Sequence, residues 1–382
     1  MNYPISKLKD CCTIIAGQSP ESKYYNTAGE GMPFFQGKAD FGDLYPTIRV
    51  YCSQPTKIAE KDDILLSVRA PVGPTNLAPC QVCIGRGLTA IRPSSQLLTG
   101  YVLMFFRFFE AQLALKGTGT TFNAITQNVV KNLEIPIPPL NEQSRIVARI
   151  EELFSELDNS VSTLQKTKEQ LAVYRQAVLK DAFDSINADS VCIQDVCEKI
   201  IDCPHSTPNW TRDGYLCLRT TNFRRGYLDL SEPNYVSKDT FDARNQRLIP
   251  MPGDVLYSRE GAILGLACII PSDTYVCLGQ RMMLLRAGNK LSNMYLMHFL
   301  NSPRLTNFVA SVTGGSASPH VNVGDIKNFQ MPFPDINEQG KIVEFIESRL
   351  SVCDSIDHTV DTALQQAEAM RQSILKQAFE GR

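Results

Sequence analysis

The sequence lacks long apolar runs. Nowhere do roughly eighteen apolar residues follow one another, so no segment is predicted to span a membrane. The first residues, Met1–Ser6, carry neither a basic start nor an apolar stretch and do not resemble a secretory signal. We therefore expect a cytoplasmic protein. At 382 residues with 43% hydrophobic content, the chain is long enough for two or more domains with cores of their own.

Several catalytic motifs are also missing. The chain has no Gly-x-x-x-x-Gly-Lys-Ser/Thr phosphate loop, no G-x-G-x-x-G dinucleotide fingerprint and no Asn/Asp-Pro-Pro-aromatic tetrad of amino-methyltransferases. Asp254 and Glu260 lie near each other in sequence, but without a paired acid they do not make a nuclease site. These absences predict a protein that binds rather than one that catalyses.

Residues that commonly bind metals are scattered. The four histidines are dispersed, and His205 or His320 would contact a ligand only as an isolated side chain. The twelve cysteines show no repeated ligand spacing, since Cys80-x-x-Cys83 has no second pair at a zinc-site distance. We expect reduced, mostly structural cysteines, no metal site and no cofactor.

What the sequence does contain is a long internal duplication. Residues 141–147 return as residues 337–343, and residues 175–183 return as residues 371–379, both at an offset of 196. Six of ten residues agree in each of the two ten-residue alignments, 141–150 with 337–346 and 174–183 with 370–379. Unrelated segments of ordinary composition would share about one. The period is that of a duplicated domain, not of a solenoid repeat.

The duplicated segment has the pattern of a long helix. No Pro or Gly occurs from Asn141 to Phe183, and Asn141 follows two prolines and can cap the start. Apolar residues recur every seven positions, although Lys168 and Arg175 interrupt the neighbouring row. The rows are Ile150, Leu157, Leu164, Leu171 and Val178 in the first copy and Ile346, Cys353, Val360, Ala367 and Ile374 in the second.

A rod of ~64 Å cannot bury such a stripe alone. The pattern therefore predicts that the two helices pack antiparallel around a pseudo-twofold axis. The alternative is two unrelated surface helices, each folded onto its own domain.

These boundaries divide the chain into four parts. We predict globular domains at 1–137 and 186–331 and long helices at 138–185 and 332–382, with net charges of +3, +1, −2 and −4 respectively. The overall charge of −2 argues against a generic DNA-binding protein. The asymmetry nevertheless fits globular parts that face phosphate and helices that face protein.

The globular parts repeat more loosely. Residues 253–259 echo the strand that ends at Arg69, and Gly279-Gln280-Arg281 echoes Gly85-Arg86-Gly87. Loose globular repeats joined to closely matching helices suggest a shared scaffold that carries two different binding surfaces.

Three stretches carry a resemblance to a known family. Residues 137–143, Ile-Pro-Pro-Leu-Asn-Glu-Gln, followed by Arg145-Ile146-Val147, resemble a signature of Type I restriction-modification specificity subunits. Residues 66–73 and 84–88 resemble motifs of the target recognition domains of that family. The second part departs from the pattern, because the stretch from Ser258 to Gly265 is one residue longer than the matching stretch from Ser67 to Gly73.

The resemblance implies an α+β fold: two mixed α/β DNA target recognition domains separated by two long antiparallel coiled-coil helices. It implies a non-catalytic subunit that reads a bipartite, asymmetric target in double-stranded DNA, with one half-site per domain. The helices would fix the spacing and dock two modification subunits. Those subunits would bind S-adenosylmethionine and methylate adenine, and restriction subunits would add ATP-dependent cleavage.

Candidate DNA contacts follow from base-edge chemistry, because Arg suits guanine and Asn or Gln suits adenine. We expect Arg224 and Arg225 to meet phosphate rather than bases. The candidates are Lys38, Arg69, Arg86, Thr120 and Asn123 in the first part and Arg219, Asn222, Arg224, Arg225, Arg259, Arg281, Ser316 and Asn322 in the second.

Two functions of other classes remain open from the residues alone. One is a self-contained methyltransferase or nuclease whose motifs are unrecognised. The other is a coiled-coil adaptor that binds only proteins.

Overall fold

A computed structural model describes residues 3–117, 124–313 and 319–380. The chain divides into two compact units: one contains Met1–Leu164 and Thr362–Arg382, and the other contains Gln165–Asp361. Within the described residues, no helix is apolar enough over a sufficient length to cross a bilayer.

The first unit is a mixed α/β domain followed by the first part, up to Leu164, of a helix of 45 residues. Its elements are β1 (Ile5–Lys7), α1 (Leu8–Cys11), β2 (Cys12–Ala16), β3 (Tyr25–Asn26), β4 (Met32–Phe35), β5 (Tyr51–Cys52), β6 (Ile58–Ala59), β7 (Ile64–Ser67), β8 (Thr75–Leu77), β9 (Val82–Ile84), β10 (Leu88–Pro93), α2 (Thr99–Leu115), α3 (Gln127–Lys131), β11 (Glu134–Pro136) and the start of α4 (Leu140–Asp184).

The second unit repeats this plan after the end of α4. Its elements are β12 (Ser190–Cys192), α5 (Ile193–Val196), β13 (Cys197–Asp202), β14 (Trp210–Thr211), β15 (Tyr215–Leu218), β16 (Tyr235–Val236), α6 (Lys238–Arg244), β17 (Val255–Ser258), β18 (Ala267–Ile269), β19 (Cys277–Leu278), β20 (Met282–Ala287), α7 (Asn293–Leu300), α8 (Pro303–Thr313), α9 (Val323–Lys327), β21 (Gln330–Pro332) and α10 (Ile336–Glu380), whose last turns belong to the first unit.

Each unit has two main sheets, and the order of their strands matches except that β6 of the first unit has no counterpart among the described strands of the second. In the first unit the sheets run β2-β10-β7-β8 and β3-β5-β4-β9-β6; in the second they run β13-β20-β17-β18 and β14-β16-β15-β19. The pairs β4–β9 and β15–β19 are parallel, and the other pairs are antiparallel. The loose repeat of the globular parts is therefore a repeat of one topology.

The central strand of each unit is buried on both faces. Ile64 and Leu66 of β7 pack with the core helix α2, whereas Leu65 between them packs with the second sheet. In the second unit, Tyr257 of β17 packs towards α7 and Leu256 packs towards the other sheet. Alternate side chains of a strand point to opposite faces, so a strand covered on both sides is apolar throughout.

The long helices run antiparallel within each unit. In the first unit, Leu375 near the end of α10 packs with Ile150 and Phe154 near the start of α4. In the second unit, Arg175 of α4 binds Asp357 of α10, with 2.6 Å between Nη1 and Oδ2. The heptad rows are buried except for Leu164 and Ile374, which are half-buried. The predicted antiparallel pairing is confirmed in each unit.

Lys168 and Arg175, which interrupt the apolar row in the sequence, make polar contacts between the two long helices. Lys168 Nζ lies 2.6 Å from Asp361 Oδ1, and Arg175 also lies 2.5 Å from Asp354. The corresponding Arg371 pairs with Asp158 in the first unit. Because cations on one helix meet carboxylates on the other, these polar positions favour the observed register.

The repeated Asn-Glu-Gln motif contains a buried amide. Gln143 is fully buried, and its Oε1 accepts a hydrogen bond from the Leu98 N–H at 2.8 Å. Its Nε2 donates to the carbonyl oxygens of Gln96 and Pro138, each at 2.8 Å. The amide thereby joins the start of α4 to the chain that enters α2.

The duplicate glutamine makes the same three contacts. Gln339 accepts from the Ser292 N–H at 2.9 Å and donates to the carbonyl oxygens of Lys290 and Pro334 at 3.1 and 2.9 Å. Every hydrogen-bonding atom of a buried amide must find a partner, so this position requires glutamine for structural reasons.

We expect Gln339→Leu to lower the free energy of unfolding of the second unit by about 2–4 kcal/mol, because one buried N–H and two carbonyls lose a partner. Gln170→Leu, at an exposed position of α4 in the same unit, should change it by less than about 0.5 kcal/mol. The chain's single tryptophan, Trp210, lies in this unit, so its fluorescence during urea unfolding reports the difference. Equal effects of the two substitutions would contradict the structural role.

Candidate nucleic-acid interface

Three of the predicted residues meet in one cleft of the first unit. Lys38, Arg69 and Arg86 are exposed and line a cavity of about 520 Å³. The other lining residues are Ser19, Gln36, Gly37, Ala39, Ser67, Ala70, Pro71 and Gly87. None of the lining residues is acidic, so the cleft presents three positive charges to a ligand.

Backbone hydrogen bonds near the ends of the strands form this cleft. Beyond β4 and β9, the Gly85 N–H donates to the Phe35 carbonyl at 2.8 Å. Beyond β7, the Val68 N–H donates to the Gly87 carbonyl at 2.9 Å. A Cβ on Gly87 would lie 2.2 Å from the Gln36 carbonyl oxygen, so only glycine allows this approach. The main chain thus fixes where the side chains emerge.

The second unit repeats these backbone bonds. The Gly279 N–H donates to the Leu218 carbonyl at 2.9 Å, and the Arg259 N–H donates to the Arg281 carbonyl at 3.0 Å. Gly279 therefore occupies the place of Gly85, and Arg281 occupies the place of Gly87. The predicted correspondence of 279–281 with 85–87 is confirmed, and Gln280 stands where the first unit has Arg86.

The predicted correspondence of Arg259 with Arg69 is wrong by one residue. An isolated β-bridge pairs Arg69 with Ala124 in the first unit, and an equivalent bridge pairs Glu260 with His320 in the second. Because 124 and 320 differ by the 196-residue offset, Glu260 occupies the position of Arg69. The position of Arg259 matches Val68, which explains why Arg259 is buried.

Arg259 is held by a carboxylate. It is 8% exposed, and its Nε donates to Asp202 Oδ1 at 3.0 Å. His205 also reaches Asp202, with 3.0 Å between Nε2 and Oδ2. The guanidinium lies in an intramolecular network rather than at an open edge.

Asn222 is also engaged internally. It is 5% exposed, its Oδ1 accepts from the Arg219 N–H at 2.9 Å, and its Nδ2 donates to the Asp229 carbonyl at 3.1 Å. In the first unit, Asp40 accepts from the Gln36 N–H in the same way at 3.1 Å. Both side chains stabilise the turn that follows the strand.

The arginine pair predicted to meet phosphate makes contacts within the second unit. Arg224 Nη2 donates to Asp229 Oδ2 at 2.8 Å. Arg225 Nη1 donates to the Asn301 carbonyl at 2.7 Å and to Gln176 Oε1 of α4 at 3.3 Å. Arg225 therefore ties the globular part of this unit to its long helix.

The remaining second-unit candidates lie on the surface. Arg219 is exposed directly after β15, and the Arg281 side chain is 57% exposed with Nε 3.6 Å from Glu260 Oε1. Asn322 is exposed and donates from Nδ2 to Asp325 Oδ2 at 3.1 Å. Thr120, Asn123 and Ser316 lie outside the described residues.

The acids and cysteines considered for catalysis have structural environments. Asp254 is 3% exposed and accepts two 2.8 Å hydrogen bonds from Arg286 and another from the Met251 N–H. Burial raises the pKa of Cys197 to about 12, so that thiol stays protonated at neutral pH. All twelve cysteines are free, and across 3–117, 124–313 and 319–380 no cluster of three His, Cys, Asp or Glu could hold a metal.

The structure also draws attention to three positions that the motifs did not indicate. Glu260 and Gln280 occupy the places of two first-unit arginines, and Trp210 lies beside Arg219. The sequence alone aligns Arg259 with Arg69. Only the register of the backbone hydrogen bonds shows that Glu260, and not Arg259, occupies the position of Arg69. The single tryptophan in the chain was a signal that could have drawn attention to residue 210.

Comparisons with known proteins agree on one family. The model described as "Type I restriction modification DNA specificity domain" matches residues 2–171 and 187–366. The putative type I restriction enzyme MjaX specificity subunit of Methanocaldococcus jannaschii is 39% identical over 167 residues, which are 44% of this chain and 38% of that protein. The EcoKI specificity subunit of Escherichia coli K12 is 23% identical over 376 residues, covering 90% of this chain and 80% of that protein.

Solved structures share the fold. A chain from a structural study of complex assembly and conformational transition of the type I R-M system has a TM-score of 0.75 and 20% identity, covering 99% of both chains. The HsdS subunit from Thermoanaerobacter tengcongensis has a TM-score of 0.54 and 20% identity, covering 99% of this chain and 97% of that one. The predicted α+β architecture with two recognition domains and two long antiparallel helices is confirmed.

We expect Arg259→Ala to lower the free energy of unfolding of the second unit by about 2 kcal/mol, because Asp202 loses its closest positive charge in a partly buried setting. Arg281→Ala should cost less than about 0.5 kcal/mol, since its pair with Glu260 is long and exposed. Urea unfolding followed by Trp210 fluorescence compares the two variants. A larger loss for Arg281→Ala would reverse this assignment of roles.

Proposed function

Because this chain belongs to the Type I restriction-modification DNA specificity family, we propose that it is the non-catalytic specificity subunit of such a system. It reads a bipartite, asymmetric target in double-stranded DNA, with one half-site for each recognition domain. We assign the recognition domains to 1–137 and 186–331 and the helices to 138–185 and 332–382.

The observation that carries this proposal is that equivalent backbone positions in the two units hold different side chains. In the first unit Lys38, Arg69 and Arg86 line one cleft. In the second unit Gln280 and Glu260 occupy the positions of Arg86 and Arg69, with the Gln280 amide hydrogen-bonded to His205 and Thr207 and Glu260 Oε1 3.6 Å from Arg281 Nε. Arg pairs with guanine, Gln with adenine and Glu with cytosine, so two such surfaces select different bases.

The long helices suit a different partner. Their segments carry net charges of −2 and −4, which disfavours contact with phosphate. In the second unit they expose apolar side chains, including Val173 at 71% and Val352 at 59%. We assign to these helices the docking of two modification subunits, and restriction subunits join in the full cytoplasmic complex.

Catalysis then belongs to the partners. The modification subunits bind S-adenosylmethionine and methylate adenine, and this chain needs no cofactor. Incubation of the purified full chain with DNA and labelled S-adenosylmethionine should give no methyl transfer, whereas addition of the modification subunits should give transfer at one bipartite sequence. Transfer by the chain alone would favour the rival of a self-contained methyltransferase.

We expect the double substitution Arg69→Ala with Arg86→Ala to relax base preference in one half-site and leave the other unchanged. If these side chains meet phosphate instead, the slope of log Kobs against log salt should fall by roughly 2 with no change in base preference. Selection of random DNA by the full chain measures the base preference. Binding titrations at several salt concentrations measure the slope.

Arg149→Ala, on the exposed face of α4, is the matched control and should alter neither quantity. Wild-type chain that selects no DNA sequence, alone or with its modification subunits, would favour the protein-binding adaptor.

A further inference from the structure

The only tryptophan of the chain lies on the edge of the second recognition domain. Trp210 is in β14, which pairs only with β16 among the described strands, and its side chain is 39% exposed. A large aromatic side chain that remains exposed on an edge strand adds little to the core, so its position calls for another explanation.

Trp210 packs against an arginine of the reading surface. The guanidinium carbon of Arg219 lies 5.4 Å from the centroid of the indole ring. Arg219 directly follows β15, and its backbone position matches Gln36, which lines the first cleft. Arg219 is therefore at the place from which a side chain can reach DNA.

Arg219 differs from Arg224 and Arg259 in the partners of its side chain. Arg259 is paired with Asp202, and Arg224 is paired with Asp229. Within the residues that the structure describes, no carboxylate is paired with Arg219, whose guanidinium lies over Trp210 and whose backbone N–H donates to Asn222. The guanidinium of Arg219 thus contacts the Trp210 ring, and its N–H groups can still donate hydrogen bonds to a ligand.

The first unit does not contain this arrangement. Tyr25 occupies the place of Trp210, since β3 pairs with β5 as β14 pairs with β16. The Tyr25 hydroxyl donates to the Pro20 carbonyl at 2.7 Å, and its ring packs on Phe34 with centroids 4.7 Å apart. The aromatic side chain there belongs to the domain's own packing, and residue 36 is a glutamine.

We propose that Trp210 is a positioning residue that orients Arg219 towards a guanine in the half-site of the second domain. A guanidinium held against an aromatic ring loses part of its rotational freedom before binding, and its free edge can donate two hydrogen bonds to guanine O6 and N7. This inference rests on the proposed function, because it assigns one base contact within that DNA recognition.

The test uses random-sequence DNA selection by the full chain, followed by affinities for the selected target and for each single base-pair change. Arg219→Ala should remove the preference for one G·C pair in one half-site, a loss of about 5- to 150-fold in discrimination. Trp210→Ala should weaken the preference at that same pair by about 3- to 30-fold. Trp210→Phe should retain most of it, since it keeps an aromatic face.

The controls separate positioning from folding. Tyr275→Ala removes an aromatic side chain of the same unit that is 76% exposed, and it should leave every base preference unchanged. The other half-site serves as an internal control within each variant, because a folding defect of the second unit would reduce all preferences of its half-site together.

The outcomes distinguish the two levels of the proposal. Wild-type chain that selects no bipartite sequence overturns the proposed function itself. Suppose the wild-type chain selects a bipartite sequence. If Trp210→Ala then keeps its base preferences, or loses preference at a pair other than the one lost in Arg219→Ala, only the role of Trp210 is overturned. A uniform loss of base preference across the whole half-site in Trp210→Ala also overturns the role of Trp210 in positioning Arg219, because it indicates a structural role.

Discussion

The buried glutamine amide at the start of each long helix is the contact on which the architecture depends. Gln143 and Gln339 each saturate three backbone groups where a recognition domain meets its helix. Leaving such buried groups without partners costs free energy at every atom. The domain is therefore attached to the helix at a fixed point, which sets its orientation relative to that helix within each unit.

A second regularity lies at the equivalent strand ends of the two units. Main-chain hydrogen bonds there place residues in equivalent positions: Arg86 and Gln280 in one, Arg69 and Glu260 in another. One unit thus offers two cations where the other offers an amide and a carboxylate. The charge at these positions is set by the side chains, whereas their placement is set by the backbone, and only the placement is common to the two units.

The sequence predicted the helices and their pairing because a 196-residue offset without gaps leaves few alternatives for two matching heptad rows. It predicted Lys38, Arg69 and Arg86 as candidate DNA contacts from base-edge chemistry, and the structure adds that the three line one cleft. It did not reveal that Arg259 faces Asp202 or that Asn222 holds a turn. A one-residue difference in register reverses the side of a strand on which a residue lies, and only hydrogen-bond pairing reveals that register.

The close approach of Gly87 to the Gln36 carbonyl has a consequence for how such proteins change. Where the loop geometry is held by glycine and the main chain, the neighbouring side chains carry little of the folding free energy. They can be exchanged one at a time while the scaffold persists. Target preference can therefore drift through ordinary point substitutions, and the two halves of one gene can diverge independently.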